Sequence, residues 1–243
     1  QVEFDVRMTK DRQMVILHDA TVDRTTDGEG NIWDLTLAEV KQLRVVHTIP
    51  HPTEPASAAT AEELDRAGEA TAHRIPTLSE LLDSLPAGLE LNVHTYPGPE
   101  DKEPLVAGVV GEIQRRGLLQ TAFVAGDFDV MHEAIKLEPK IRRCLLGATQ
   151  NQAEYISECV KLGCDICQPN WSIVSPELCA EAHAAGIRVN PFWGDEVPEM
   201  ERMLDAGVDG MLTNYPALLG EVLRERGVER GGVRLSPTSG SSR

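Results

Sequence analysis

Basic residues are scarce in this chain, 23 against 39 acidic ones, and the formal net charge is −16. Such a deficit argues against nucleic acid or an anionic membrane surface as the main partner, because both are held through cations that neutralise phosphate. Anionic small molecules stay open, since a bound metal ion inverts the local field. Long apolar runs are missing too: none approaches the ~20 residues that a membrane-spanning helix requires. No secretory pattern opens the chain, which starts "QVEFDVRMTK" without a Met, as if something had been removed or left out. Five cysteines, an odd and sparse set, do not make the framework of a secreted disulfide scaffold. The "CDIC" at 164–167 has no second pair to complete a zinc site and lies in an apolar segment. We read all five as buried thiols, which favours a reducing cytoplasm.

What is present is alternation. Strand-like runs at 2–8, 89–95, 122–126, 141–147, 164–170, 187–193 and 210–214 are separated by helical stretches at 36–44, 77–85, 103–116, 129–137, 150–162, 175–185 and 197–206. "MVILHD" (14–19) is a further strand-like piece just behind the first. Thr36 with Glu39, and Thr77 with Glu80, have capping-box spacing. "KLGCDIC", "AAGIRVN" and "DAGVDGMLTN" each read as helix, glycine cap, buried strand. Strict β-α alternation predicts a parallel sheet covered by helices. Neither GxGxxG nor GxxxxGK[ST] occurs, so the nucleotide-binding fingerprints are absent. Polar groups instead fall at several strand ends (Asp5, His94, Asn170, Trp193, Asn214), which fits the mouth of a (β/α)8 TIM barrel. The expected organisation is one barrel domain over 1–226. It carries a Pro-, Ala- and Thr-rich insertion at 45–74, read either as a lid or as a surface excursion, and a disordered tail at 227–243.

Glu3 and Asp5 stand two apart on a strand, so both side chains point to one face. Two carboxylates aimed into one concavity repel, and a cation, a shared proton or solvent must offset that. A hard divalent ion is the natural partner. A bare E-x-D is more often a solvated strand face, and His18 alone is more often a capping or structural histidine. Together they change the odds: the chain leaves Asp5, turns at "TKDRQ" and returns as "MVILHD", so a hairpin can bring the His18 imidazole beside the carboxylates, where it can move protons near neutral pH.

At this point the residues resemble a known family. "VEFDVRMTKDRQMVILHDATVDRTTDGEGNIWDLTLAEVKQL", "RIPTLSELLDSL" (74–85) and "GIRVNPFWGDEVPEMERMLDAGVDGMLTNYPALL" (186–219) are similar to segments of the glycerophosphodiester phosphodiesterases. The resemblance implies a TIM barrel that hydrolyses glycerophosphodiesters to an alcohol and glycerol 3-phosphate with Mg2+ or Ca2+, in lipid and glycerol metabolism. It implies Glu3 and Asp5 as metal ligands and His18 as one of two catalytic histidines, acting as general acid or base.

Departures accompany it. The family opens with a strand ending His-Arg-Gly, which would precede Gln1, so the second histidine and a further acidic ligand are expected outside this chain. Two explanations follow: a truncated chain, or an open barrel whose gap is covered by the lid, the tail or another subunit of a homo-oligomer. On the third strand, "LELNVHTY" puts His94 at a metal-binding Glu position and Tyr96 at a phosphate-facing Lys position. An imidazole ligand shifts preference towards Mn2+ or Zn2+; Tyr96 can donate a hydrogen bond but carries no charge. Arg7, in phase with Glu3 and Asp5, is the candidate replacement cation, with an ordinary salt bridge as the competing role. Phe192 and Trp193 are candidates to line the alcohol pocket, with core packing as the alternative. The main alternative function is a catalytically impaired member that binds phosphorylated small molecules.

Overall fold

The computed structural model describes residues 1–46, 73–146 and 152–228, which fall into two compact units, Gln1–Leu146 and Gly147–Arg243. The expected insertion lies almost wholly, and the expected tail largely, outside the described residues.

In the first unit, β1 (Val2–Met8) forms a hairpin with β2 (Met14–Ile16), antiparallel, with Val6 opposite Ile16 and Met8 opposite Met14. The turn closes through Thr9 N–H to the Gln13 carbonyl (2.9 Å), and Arg12 takes a left-handed φ of 59° there. β3 (Leu91–Thr95) pairs parallel with the other edge of β1, followed by β4 (Ala122–Gly126) and β5 (Arg142–Leu145), also parallel. The order in this unit is therefore β2-β1-β3-β4-β5. Helices α1 (Leu37–Val40), α2 (Leu78–Ser84), α3 (Lys102–Arg115) and α4 (Phe128–Leu137) intervene. Both predicted capping boxes form, at Thr36/Glu39 and Thr77/Glu80, reciprocally satisfying backbone donors at the starts of α1 and α2.

Strand periodicity decides what faces where. Along β1, Phe4, Val6 and Met8 are buried in the apolar core, and Glu3, Asp5 and Arg7 take the opposite, half-buried face. Behind β2 a second small core gathers Val15, Leu17, Val22, Ile32, Val40 and Ile75. It fixes the irregular segment 17–46, whose end is tied by Val45 N–H to the His73 carbonyl at 2.9 Å, so the two ends of the expected excursion meet.

The second unit holds α5 (Gln152–Lys161), β6 (Ile166–Cys167), α6 (Pro176–Ala184), β7 (Arg188–Val189), α7 (Val197–Ala206) and α8 (Pro216–Glu225), with β6 and β7 parallel. Gly163, Gly186 and Gly207, the three predicted glycine caps, all adopt positive φ (61°, 77° and 93°). All five cysteines are reduced and buried.

Three expectations need correction. The helix over 36–44 is a single turn, because Leu43 and Val45 are drawn into the small core behind β2. Residues 210–214 form no regular strand: extended backbone bonds to the chain after β7, Leu212 N–H to Pro191 O (2.8 Å) and Gly194 N–H to Leu212 O (2.9 Å), but no ladder continues. Helix α8 was not anticipated, although Pro216 at its first turn is a start signal.

Candidate active site

Glu3 and Asp5 reach the site because β1 alternates, and His94 meets them because β3 pairs in register, with Asp5 opposite His94. His94 Nδ1 lies 3.1 Å from Glu3 Oε1 and 3.5 Å from Asp5 Oδ1. One ligand atom from each of the three side chains falls within 4.8 Å of the others. His94 is 7% exposed, so this is an enclosed polar cluster and not a solvated face. Two of its atoms, Asp5 Oδ1 and His94 Nε2, are buried with no hydrogen-bond partner. Buried acceptors left in that state are costly, and burial, reinforced by Asp5 and opposed by His94, pushes the Glu3 carboxyl up to about 7. A cation would relieve both costs. Two carboxylates and one imidazole are a donor set that a divalent ion accepts, so the residues present fit such an ion.

The hairpin delivers His18 to the same neighbourhood. Leu17 N–H donates to the Asp5 carbonyl at 3.0 Å. Arg7 then grips the next carbonyl: its Nε and Nη2 both donate to His18 O, at 2.9 and 2.7 Å. Its Nη1 makes a longer contact to Tyr96 O, 3.4 Å, and the guanidinium lies 5.3 Å from the Tyr96 ring centre. Burial lowers the Arg7 pKa, though Asp5 and other anions oppose the shift. Arg7 thus points its donors at backbone carbonyls, an arrangement that neither expectation for it described. Tyr96 lies edge-on to both imidazoles, with centroids 6.2 Å from His18 and 6.0 Å from His94. Burial and the two carboxylates hold its phenol up to about 12, so it stays a hydrogen-bond donor.

Around His18 lie residues to which the sequence reading gave no role. Asp19 Oδ1 is 2.7 Å from His18 Nδ1, and Arg24 forks onto Asp19 through Nε–Oδ2 (2.5 Å) and Nη2–Oδ1 (2.8 Å). The signal was present in "HDATVDR": an acid next to the imidazole and an arginine five residues further on a loop. Phe192 and Trp193 belong to the second unit, where their rings meet edge-on at 6.0 Å and the indole is 41% exposed.

Solved structures share this architecture. A phosphodiesterase of Oleispira antarctica, in complex with the product sn-glycerol-3-phosphate, superposes with a TM-score of 0.75 at 23% identity, covering 92% of this chain and 84% of that one. A glycerophosphodiester phosphodiesterase of Parabacteroides distasonis gives 0.72 at 21%, covering 93% and 84%. These likenesses show the fold, the α/β TIM-barrel class. A glycerophosphodiester phosphodiesterase of Caldanaerobacter subterraneus is 29% identical over 234 residues, 93% of this chain and 86% of the relative. One of Bacillus subtilis is 27% identical over 242 residues, covering 91% and 75%. The class is therefore a phosphoric diester hydrolase built on an α/β barrel. Within it, the chain belongs to the glycerophosphoryl diester phosphodiesterase family, whose profile matches residues 1–218. Among the described residues no helix is long and apolar enough to cross a membrane.

Proposed function

We propose that the protein hydrolyses glycerophosphodiesters with a divalent cation held by Glu3, Asp5 and His94, and with His18 as general acid or base. The observation that carries this reading is the convergence of two carboxylates and one imidazole with unpartnered buried donor atoms, beside a hairpin that ends in His18. When bound, the cation would neutralise phosphate charge and polarise phosphorus. The chain's own part is to hold and move protons and to orient the substrate. His18 exchanges a proton with an oxygen of the reacting phosphate. Tyr96 donates to a phosphate oxygen, and Arg7 supplies positive charge beside it. Mg2+ or Ca2+ is the family's expectation; the His94 imidazole supports Mn2+ or Zn2+. The product bound by the Oleispira relative, sn-glycerol-3-phosphate, is the product expected here. Five reduced, buried thiols support a cytoplasmic setting.

The alternative is a member that binds phosphorylated small molecules without turnover. The orientation of Arg7 favours it, since those donors already serve backbone carbonyls. Turnover of glycerophosphocholine and bis(p-nitrophenyl) phosphate, with Mg2+, Ca2+, Mn2+ or Zn2+ added and with a chelator, separates the two. Hydrolysis that the chelator abolishes and Asp5→Ala lacks supports the enzyme. A rate no higher than that of Asp5→Ala supports the binder.

A further inference from the structure

The His18 ring is 59% exposed as a side chain, yet it is not loose, because its Nδ1 is 2.7 Å from Asp19 Oδ1. An ionised carboxylate can only accept, so Nδ1 carries the hydrogen, and in the neutral ring Nε2 is then the nitrogen that keeps its lone pair. Asp19 is itself fixed from the far side by both arms of the Arg24 fork, a bidentate geometry that restricts direction as well as distance. The Arg24 fork, opposed by burial and helped by His18, leaves Asp19 well below the usual carboxylate range, so it stays an acceptor throughout the neutral range. On the backbone side, Arg7 grips the carbonyl of His18 itself. His18 is thus fixed at two points, its main chain from within and its ring from the loop 19–24.

We infer that Asp19 and Arg24 form a positioning relay that selects the Nδ1–H tautomer of His18 and aims Nε2 at the reacting phosphate. This deepens the reading of His18 given above and rests on it. Asp19 touches no reacting atom; it acts through the imidazole. Both relay partners are partly exposed, with side-chain exposures of 23% for Asp19 and 53% for Arg24. Exposed ion pairs contribute little to folding, so their replacement leaves the fold in place and the loss is read in function.

The experiment compares Asp19→Ala, Asp19→Glu, Arg24→Met and Arg24→Lys with the unaltered protein, on glycerophosphocholine in the presence of Mn2+. Asp19→Ala lowers kcat on the order of 100-fold with KM nearly unchanged, and Asp19→Glu recovers part of it. Arg24→Met gives a smaller loss, about tenfold, which Arg24→Lys partly reverses. In a double-mutant cycle with His18→Ala, adding Asp19→Ala costs nothing further. A second readout needs no activity. With 15N-histidine, two-bond correlations at pH 8, assigned by His18→Gln, show Nδ1–H for His18 in the unaltered protein and a shift towards Nε2–H in Asp19→Ala. An unchanged tautomer, or additive losses in the cycle, overturns the relay. If instead His18→Ala leaves turnover intact while the tautomer shifts as stated, the catalytic assignment of His18 fails and the relay's geometry stands.

Discussion

Asp5 on β1 and His94 on β3 are register partners across a parallel ladder, and their polar atoms approach to 3.5 Å. That pairing makes a cluster from residues 89 positions apart. It also explains why neither side chain needs a flexible loop to reach the other: both are held by ladder bonds on rigid strands. Buried donor atoms held that way are preorganised for an ion.

The Arg7 grip on His18 O has a measurable consequence. Arg7→Met removes two charge-assisted bonds, each worth roughly 1.5–3 kcal/mol where buried and less where solvent competes. Turnover should fall at least tenfold, with the melting temperature lowered by several degrees and metal affinity little changed. Kinetics and calorimetry on the same preparation check this. A variant with native kcat would show that the grip does not matter.

The cap of α2 should matter for stability and not for the site. Thr77 accepts from Glu80 N–H, and Glu80 reaches back to Thr77 N–H. Thr77→Ala should cost about 1 kcal/mol, a drop of roughly 2–4 °C in Tm for a domain of this size. Thermal melts followed by circular dichroism give the number, and Mn2+ affinity should be unaltered.

Thiol chemistry tests the burial of the cysteines. Burial, with smaller contributions from neighbouring Cys179, Cys164 and Asp209, pushes the Cys167 thiol up to about 12, and Cys179 is raised likewise. A thiol whose pKa is raised is protonated and unreactive at pH 8. Ellman's reagent should find almost no fast-reacting thiol in the native protein and all five after denaturation. A fast equivalent in the native state would contradict the packing.

Much of this architecture is legible in the chain. Period-two alternation in "VEFDVRM" separates Glu3, Asp5 and Arg7 from Phe4, Val6 and Met8, and the glycines at 163, 186 and 207 mark helix ends, because both signals are local. The Glu3–Asp5–His94 meeting was legible only through family register, since nothing local sets which residue of β3 faces Asp5. The fate of Arg7 was not legible: its partner is the carbonyl of His18, and backbone acceptors leave no trace in side-chain identity. The shortening of the helix after Thr36 reflects tertiary packing overriding a sound cap, as Leu43 turns inward to the small core.

Calorimetric titration of Mn2+ into the unaltered protein, His94→Ala and Asp5→Asn, with Ca2+ as comparison, tests the central claim most directly. The account predicts one divalent ion per chain. Mn2+ affinity should fall roughly 10–100-fold in His94→Ala and the preference for Mn2+ over Ca2+ should shrink with it, while Asp5→Asn weakens both ions. Equal Mn2+ affinity in all three proteins, or no binding to the unaltered one, would contradict it.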